Sequence, residues 1–395
     1  MPSVLKSERV QSIDILRGLV MVIMALDHVR DFFHFGAFIY DPTDLETTTP
    51  FLFLTRFVTH FCAPAFIFLT GTSASLYGAN KTKKELSKFL WTRGLWLVFV
   101  EVVIMNFLWW FDPSYRLINL QVIWAIGLSM ICLSVLIYIP RKMLLVLSLL
   151  VVFGHNLLDD ITVEGNSFSS TLWYILHQWK WPSIPKERII IYYYSLIPWF
   201  AVMVLGYCFG FLYQKDFKKE LRKKYLLYLG TICLVLFYVI RGINIYGDPV
   251  PWSDQKDLVF TFLSFFNVSK YPPSLLYLLV TIGPMFIVLH LLEGLKNKLT
   301  DFLLVFGRVP FFYYLMHVFV IHLAALLTLV VLGKDWTLMI LTPEWIFTDK
   351  MADYGYSLGV VYLVWILVVL FLYPFCKKYM VYKLKHKEKW WLSYL

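Results

Sequence analysis

Apolar stretches of roughly 20 residues recur through the whole chain with short polar breaks between them, and about 20 helical residues are needed to cross ~30 Å of hydrocarbon. The pattern predicts ten spans: Ser12 to Phe35, Phe51 to Gly78, Ser87 to Phe111, Asn119 to Ile139, Met143 to Leu158, Ile191 to Tyr213, Tyr225 to Tyr246, Ser274 to Leu295, Phe302 to Leu332 and Ser357 to Lys378. The expected fold class is an all-α polytopic integral membrane helix bundle, with a single transmembrane domain over residues 1–395. Between Leu158 and Ile190 the chain carries Trp173, Trp179 and Trp181, which suits a re-entrant or interfacial segment. No repeat of clear period and no low-complexity stretch is visible.

The polar breaks alternate in charge. One set holds Lys6 and Arg9, then Lys81, Lys83 and Lys84, Arg141 and Lys142, the run from Lys215 to Lys224, Lys296 and Lys298, and a tail with Lys377, Lys378, Lys383, Lys385, Lys387 and Lys389. The other set begins with Asp41, Asp44 and Glu46 and holds only scattered bases such as Arg116, Lys186, Lys256 and Lys350. Because cytoplasmic loops collect Lys and Arg, both termini are expected in the cytoplasm. The first span contains Asp27 and His28 and no small-residue cleavage site follows it, so it reads as a retained helix rather than a signal peptide.

Composition agrees: 59% of residues are hydrophobic, 19% aromatic and 16% charged, which fits a bilayer as solvent and partner. The net charge of +10 is then a topology signal. Nucleic-acid binding is not expected, since the bases sit in short inter-helix loops. Cys62, Cys132, Cys208, Cys233 and Cys376 show neither paired nor metal-type spacing, and no metal is expected.

Ionisable residues inside a span are costly and become candidates for function. Arg17 and His28 are eleven residues apart, so they project from nearly one face of the first helix, ~16 Å apart along its axis. Asp14 is placed to pair with Arg17. Asp27 lies about 100° round the helix from His28 and suits another partner. His60 matches the depth of His28 on the second span, and Arg56 lies one turn above it. Asn106, Gln121, Arg241, Asn244, Lys270 and His317 add polarity at the same outer level, describing a polar chamber open to that side. An inner level holds Arg17, Arg93, His290, Glu293 and Arg308, with Glu101 between. Guanidinium groups at that depth suit phosphate, although each could instead snorkel to headgroups. His34, His155, His177, His290 and His322 read as structural. Pro64, Gly71, Pro198, Gly206, Gly210, Pro284, Gly307 and Pro310 punctuate helices where a cavity or close packing tolerates it.

Several segments resemble the heparan-alpha-glucosaminide N-acetyltransferase catalytic family: SIDILRGLVMVIMALDHVRDFFH at Ser12 to His34, FCAPAFIFLTG at Phe61 to Gly71, INLQVIWAIGLSMI at Ile118 to Ile131, NVSKYPPSLLY at Asn267 to Tyr277, and FGRVPFFYYLMH at Phe306 to His317. The Arg17 to His28 spacing is similar to the first helix of the broader acyltransferase family three group, and Tyr313, Tyr314 and His317 to its late Tyr and His pattern. The histidine usually discussed in the loop after the first helix of the lysosomal enzyme has no clear match here. The resemblance implies acyl transfer from cytoplasmic acetyl-CoA to an extracytoplasmic sugar or glycan, in a bacterial inner membrane.

Joined to the two polar levels, that implication places the CoA phosphates among Arg17, Arg93 and Arg308 and makes His28 the general base. His60 or His317 then orients it or acts as a second base. Asp27 holds an imidazole or a sugar hydroxyl, and Asn106, Gln121 or Arg241 faces the thioester oxyanion. Arg56 and Lys270 are further acceptor-binding candidates. A covalent acetyl-histidine route, O- versus N-acylation and a homo-oligomer are left open. The competing class is a secondary transporter of a small polar or sugar-like solute, which also lines a midplane cavity with polar groups.

Overall fold

A computed structural model describes residues 10–181 and 186–393, so Lys6 and Arg9 lie outside the described residues. The chain is helical throughout: α1 (Gln11–Phe33), α2 (Pro50–Thr59), α3 (Cys62–Gly78), α4 (Lys83–Phe99), α5 (Asn106–Trp110), α6 (Val122–Leu136), α7 (Arg141–Gly154), α8 (Phe168–Leu176), α9 (Leu196–Phe209), α10 (Lys219–Ile243), α11 (Leu258–Phe266), α12 (Leu275–Leu292), α13 (Lys298–Arg308), α14 (Pro310–Val331) and α15 (Leu358–Lys385). Two four-residue strands, β1 (Leu117–Leu120) and β2 (Ile189–Tyr192), form a small parallel pair.

Among the described residues, eight helical segments are long and apolar enough to cross a membrane: Pro50–Gly78, Lys83–Trp110, Arg141–Leu158, Leu196–Tyr213, Lys219–Ile243, Leu275–Leu292, Pro310–Val331 and Leu358–Lys385. The two other expected spans differ for separate reasons. α6 has only 15 residues. α1 has 23 but carries Asp14, Arg17, Asp27, Arg30 and Asp31. It tolerates them because it packs against α2, α3, α12, α13, α14 and α15, so these charges face protein rather than lipid.

Four boundaries depart from the sequence pattern. The span expected from Phe302 to Leu332 is two helices, because Pro310 opens α14 and leaves α13 as a separate helix packed on α1. α2 and α3 part at His60 and Phe61. Pro64 cannot donate to the His60 carbonyl four residues back, and the Tyr277 hydroxyl donates to that oxygen at 2.8 Å instead. α4 passes into α5 through a widened π-helical turn, Val100–Met105. Between Leu158 and Ile190 the described chain forms α8, whose nine residues are too few to span.

Cross-links gather the loops at two ends. Lys83 donates to the Tyr138 carbonyl, Arg141 to Ser75, and both Ser12 and Arg222 to Glu293, so the basic loops share one end. At the other end Phe35 donates to the Tyr356 carbonyl, Leu341 to that of Trp110, Leu275 to Asn156 and Asn267 to the Thr43 carbonyl. α15 finishes at the basic end, with Tyr379 stacked on Phe312 at the start of α14.

Reciprocal glycines set the closest helix pairs. A Cβ on Gly18 of α1 would overlap the Leu303 carbonyl of α13, and one on Gly307 the Asp14 carbonyl. Gly71 and Gly206 stand in the same relation between α3 and α9. Small residues that let backbones approach are how apolar helices associate in lipid. The α1 and α13 contact sets the rotation of α1, and with it the direction of Arg17 and His28.

Candidate functional site

A cavity of about 920 Å³ opens among the loops of the non-basic end. Asp27, His28, Arg56, His60, Gln121, Arg241 and Lys270 all line it, so most of the outer-level residues converge on one space. Aromatic rings complete the wall, among them Trp109, Trp179, Trp181, Tyr271 and Trp345.

His28 is the best-defined group. Its Nδ1 lies 2.7 Å from Nε2 of His317, a fully buried residue on α14. His317 Nδ1 in turn lies 2.8 Å from the Tyr313 carbonyl. A carbonyl only accepts, so Nδ1 of His317 carries a proton, and the neutral ring accepts at Nε2. The Nδ1 of neutral His28 is therefore the donor, and its Nε2 carries the lone pair. Trp109 packs edge-on against the His28 ring, 4.8 Å between centroids, and both residues line the cavity. His317 itself stands behind the wall.

Asp27 has other partners than an imidazole. Arg56 reaches one carboxylate oxygen at 2.6 Å, while Thr59 and Arg30 reach the other at 2.7 and 2.9 Å. Arg30 also pairs with Asp31 at 2.6 Å. This network pins α2 to the last turns of α1. Arg30 and Asp31, both on the cavity wall, escaped the sequence reading, although Asp27 and Arg30 show the three-residue spacing of a helical ion pair.

Two outer-level residues are committed to backbone. Arg241 gives its guanidinium to the carbonyls of Val250, Ser264, Phe265 and Asn267, stitching the loop around α11 together. Asn106 lies behind the wall, donating to the Glu101 and Asn119 carbonyls and accepting from the Asn119 amide and the Trp110 indole. It fills the gap that the π-helical turn opens. Gln121, at the N-cap of α6, makes no such commitment. His60 closes α2, its ring 5.4 Å from that of Tyr277, and Lys270 lies over the Tyr271 ring at 5.1 Å. In the loop after α10, burial pushes the Asp248 carboxyl up, against hydrogen bonds from Ser274 and the Ser269 and Val250 amides.

None of the inner arginines lines this cavity. Arg17 is 2.9 Å from Asp14, 3.0 Å from the Ser73 hydroxyl and 3.4 Å from the Gly307 carbonyl, which brings it beside Arg308. Nε of Arg308 is buried without a hydrogen-bond partner. Arg93 lies on α4 with its guanidinium 5.2 Å from the Phe89 ring centre. His290 and His322 bond to backbone carbonyls, His290 to that of Lys223 and His322 to those of Leu108 and Met339.

The family described as heparan-alpha-glucosaminide N-acetyltransferase, catalytic, matches residues 9–244, a stretch that takes in α1, His60, Gln121 and Arg241 but ends before Lys270 and His317. No curated protein matches the chain.

Proposed function

The chain belongs to the heparan-alpha-glucosaminide N-acetyltransferase catalytic family, and from that premise we propose that it moves an acetyl group from cytoplasmic acetyl-CoA to a hydroxyl or amine of an extracytoplasmic sugar or glycan, in a bacterial inner membrane. The observation that carries this reading is the direction of the hydrogen bonds at His28, which leaves Nε2 unprotonated on a residue that lines the cavity. A general base must present such a lone pair to the proton it takes.

The acceptor gives its proton to His28 Nε2 as its oxygen or nitrogen bonds to the thioester carbonyl carbon. The imidazolium that forms keeps Nδ1–H on His317, whose own ring is oriented by the Tyr313 carbonyl. Collapse of the tetrahedral intermediate breaks the carbon–sulfur bond, and the Nε2 proton goes to the departing CoA thiolate. With Asn106 and Arg241 committed elsewhere, Gln121 is the amide left to donate to the oxyanion. Arg56 and Lys270 bring positive charge to the same wall, and His60 adds a second imidazole. The tryptophans and tyrosines offer flat apolar faces to a sugar ring. At the basic end Arg308 and Arg17 supply guanidinium groups for the donor's phosphates, with Arg93 of α4 a further candidate. The fit there rests on the unpartnered Nε of Arg308.

The test is acetyl-CoA binding and slow acceptor-free hydrolysis by detergent-purified protein. Arg308→Ala and Arg17→Ala should lose binding, and His28→Ala should keep binding and lose turnover. If well-folded wild-type protein binds no acetyl-CoA, the reading fails and solute transport takes its place.

A further inference from the structure

Where the C-terminal ends of α7 and α8 meet, outside the cavity lining, lies a second cluster that acyl transfer does not use. One ligand-type atom each from His155, Asp159 and His177 falls within 4.8 Å of the others. His155 is 2% exposed, yet both of its ring nitrogens lack a hydrogen-bond partner. His177 is equally buried. Its Nε2 lies 2.9 Å from Asp159 Oδ1, and its Nδ1 has no partner. Leaving imidazole nitrogens buried and unsatisfied is costly, and a shared cation gives His155 the partner that both of its ring nitrogens lack.

We propose that His155, Asp159 and His177 bind a divalent transition-metal ion, with zinc fitting the donor set best. Two imidazoles and a carboxylate suit zinc, whereas calcium and magnesium prefer all-oxygen sites. In a tetrahedral zinc site with bonds near 2.0 to 2.1 Å, ligand atoms lie about 3.4 Å apart. The 2.9 Å contact is already inside that spacing, and the widest separation of 4.8 Å closes with a small swing of a ring. Outer contacts hold the ligands. Asn156 Nδ2 donates to the second Asp159 oxygen at 2.7 Å, and Ser195 holds the His177 carbonyl at 2.7 Å. Asp159 is 14% exposed at its side chain, so a water can complete the coordination.

The sequence reading expects no metal and gives both histidines structural roles. The proposed ion gives that structural role a physical agent. Tying the end of α7 to the end of α8 fixes the chain just before Trp179 and Trp181, which line the cavity. The cation thus acts as a staple behind the aromatic wall, and its binding does not depend on the acyltransferase reading.

The experiment uses the full chain, purified in detergent with a tag free of histidine, stripped with chelator, reloaded with zinc and passed through gel filtration before elemental analysis. Wild type should retain about one zinc per chain, and His155→Ala and His177→Ala about tenfold less. Cobalt loading should give a tetrahedral visible spectrum that both variants lose. His155→Gln, read as a monodisperse peak, separates lost ligation from misfolding, and His386→Ala in the tail should bind as wild type does. Folded wild-type protein without stoichiometric zinc, or zinc retained undiminished in the folded His155→Gln variant, overturns the proposal.

Discussion

His28 and His317 lie 289 residues apart in sequence and meet at 2.7 Å, with the Tyr313 carbonyl deciding which ring donates. In the proposed mechanism the pair is a positioning device, since His317 contacts Nδ1 of a ring that belongs to the cavity wall. If His28 is the base, His28→Ala should lower kcat by about 10²- to 10⁴-fold. His317→Leu removes only the acceptor, so a smaller loss in kcat with KM little changed is expected. His317→Gln, whose amide oxygen can accept from Nδ1, should recover part of that loss. Equal activity in His317→Leu and wild type would show that the pair has no bearing on catalysis.

The Asp27 network yields a stability prediction. Its carboxylate separates Arg30 from Arg56, and removing one partner of a buried pair costs about 3–5 kcal/mol because the others stay uncompensated. Asp27→Asn should therefore be destabilised in detergent melts more than the Asp27→Asn, Arg56→Gln double variant. Additive losses in the double-mutant cycle would mean that the two charges are not coupled.

How far such relationships can be read from sequence depends on whether they run along one helix or between helices. Arg17 and His28 share a face of α1 by helical periodicity alone, and the apolar stretches that become membrane helices are visible for the same reason. The Asp27 to Arg56 bond depends on the rotation of two helices about their own axes. That rotation is set by backbone contacts such as Gly18 on Leu303, which no local pattern reports. The division at Pro310 is marked in the sequence by Gly307, Arg308 and Pro310, but the apolar stretches on either side lie close enough together to read as one span. Asn106 and Gln121 look alike at one depth in the sequence, and only hydrogen-bond partners separate them.

Glycine contacts can be tested with an internal control. Gly307→Ala places a Cβ against the Asp14 carbonyl, whereas a Cβ at Gly154 or Gly242 meets nothing within 4 Å. Overpacking costs about 1–3 kcal/mol, so Gly307→Ala should melt lower than wild type. Gly154→Ala should melt at or slightly above it, because alanine is the better helix former. A Gly307→Ala melt no lower than that of Gly154→Ala would remove the argument for α1 and α13 as a fixed pair.

A pH dependence follows from the turn after α5. Burial opposes ionisation of Asp112, but hydrogen bonds from Arg116 and the Ser114 amide outweigh it and hold the carboxyl below its ordinary range. A depressed folded-state value means that the stabilisation is complete above the unfolded value near 3.8 and is lost as pH falls through the folded one. Asp112→Asn should melt below wild type at pH 7, and the gap should close as both are taken below pH ~4. A gap that stays constant across that range would assign the effect to packing.

The sharpest separation lies between Asn106 and Gln121. Every donor and acceptor that Asn106 offers to the wall is taken by Glu101, Asn119 and Trp110, so Asn106→Ala leaves buried backbone groups unpaired at about 1–3 kcal/mol. It should lower the melting temperature, and whatever protein stays folded should keep a near-normal kcat. Gln121 faces the cavity from the N-cap of α6 with no comparable structural bonds. If its amide donates to the thioester oxyanion, Gln121→Ala should lower kcat by about 10²- to 10³-fold while leaving KM and the melting temperature nearly unchanged. Gln121→Glu should be at least as impaired, since a carboxylate repels the developing negative charge. The opposite pattern, a stability loss at Gln121 and a kcat loss at Asn106, would place the oxyanion donor behind the present wall and require the π-helical turn to open during the reaction.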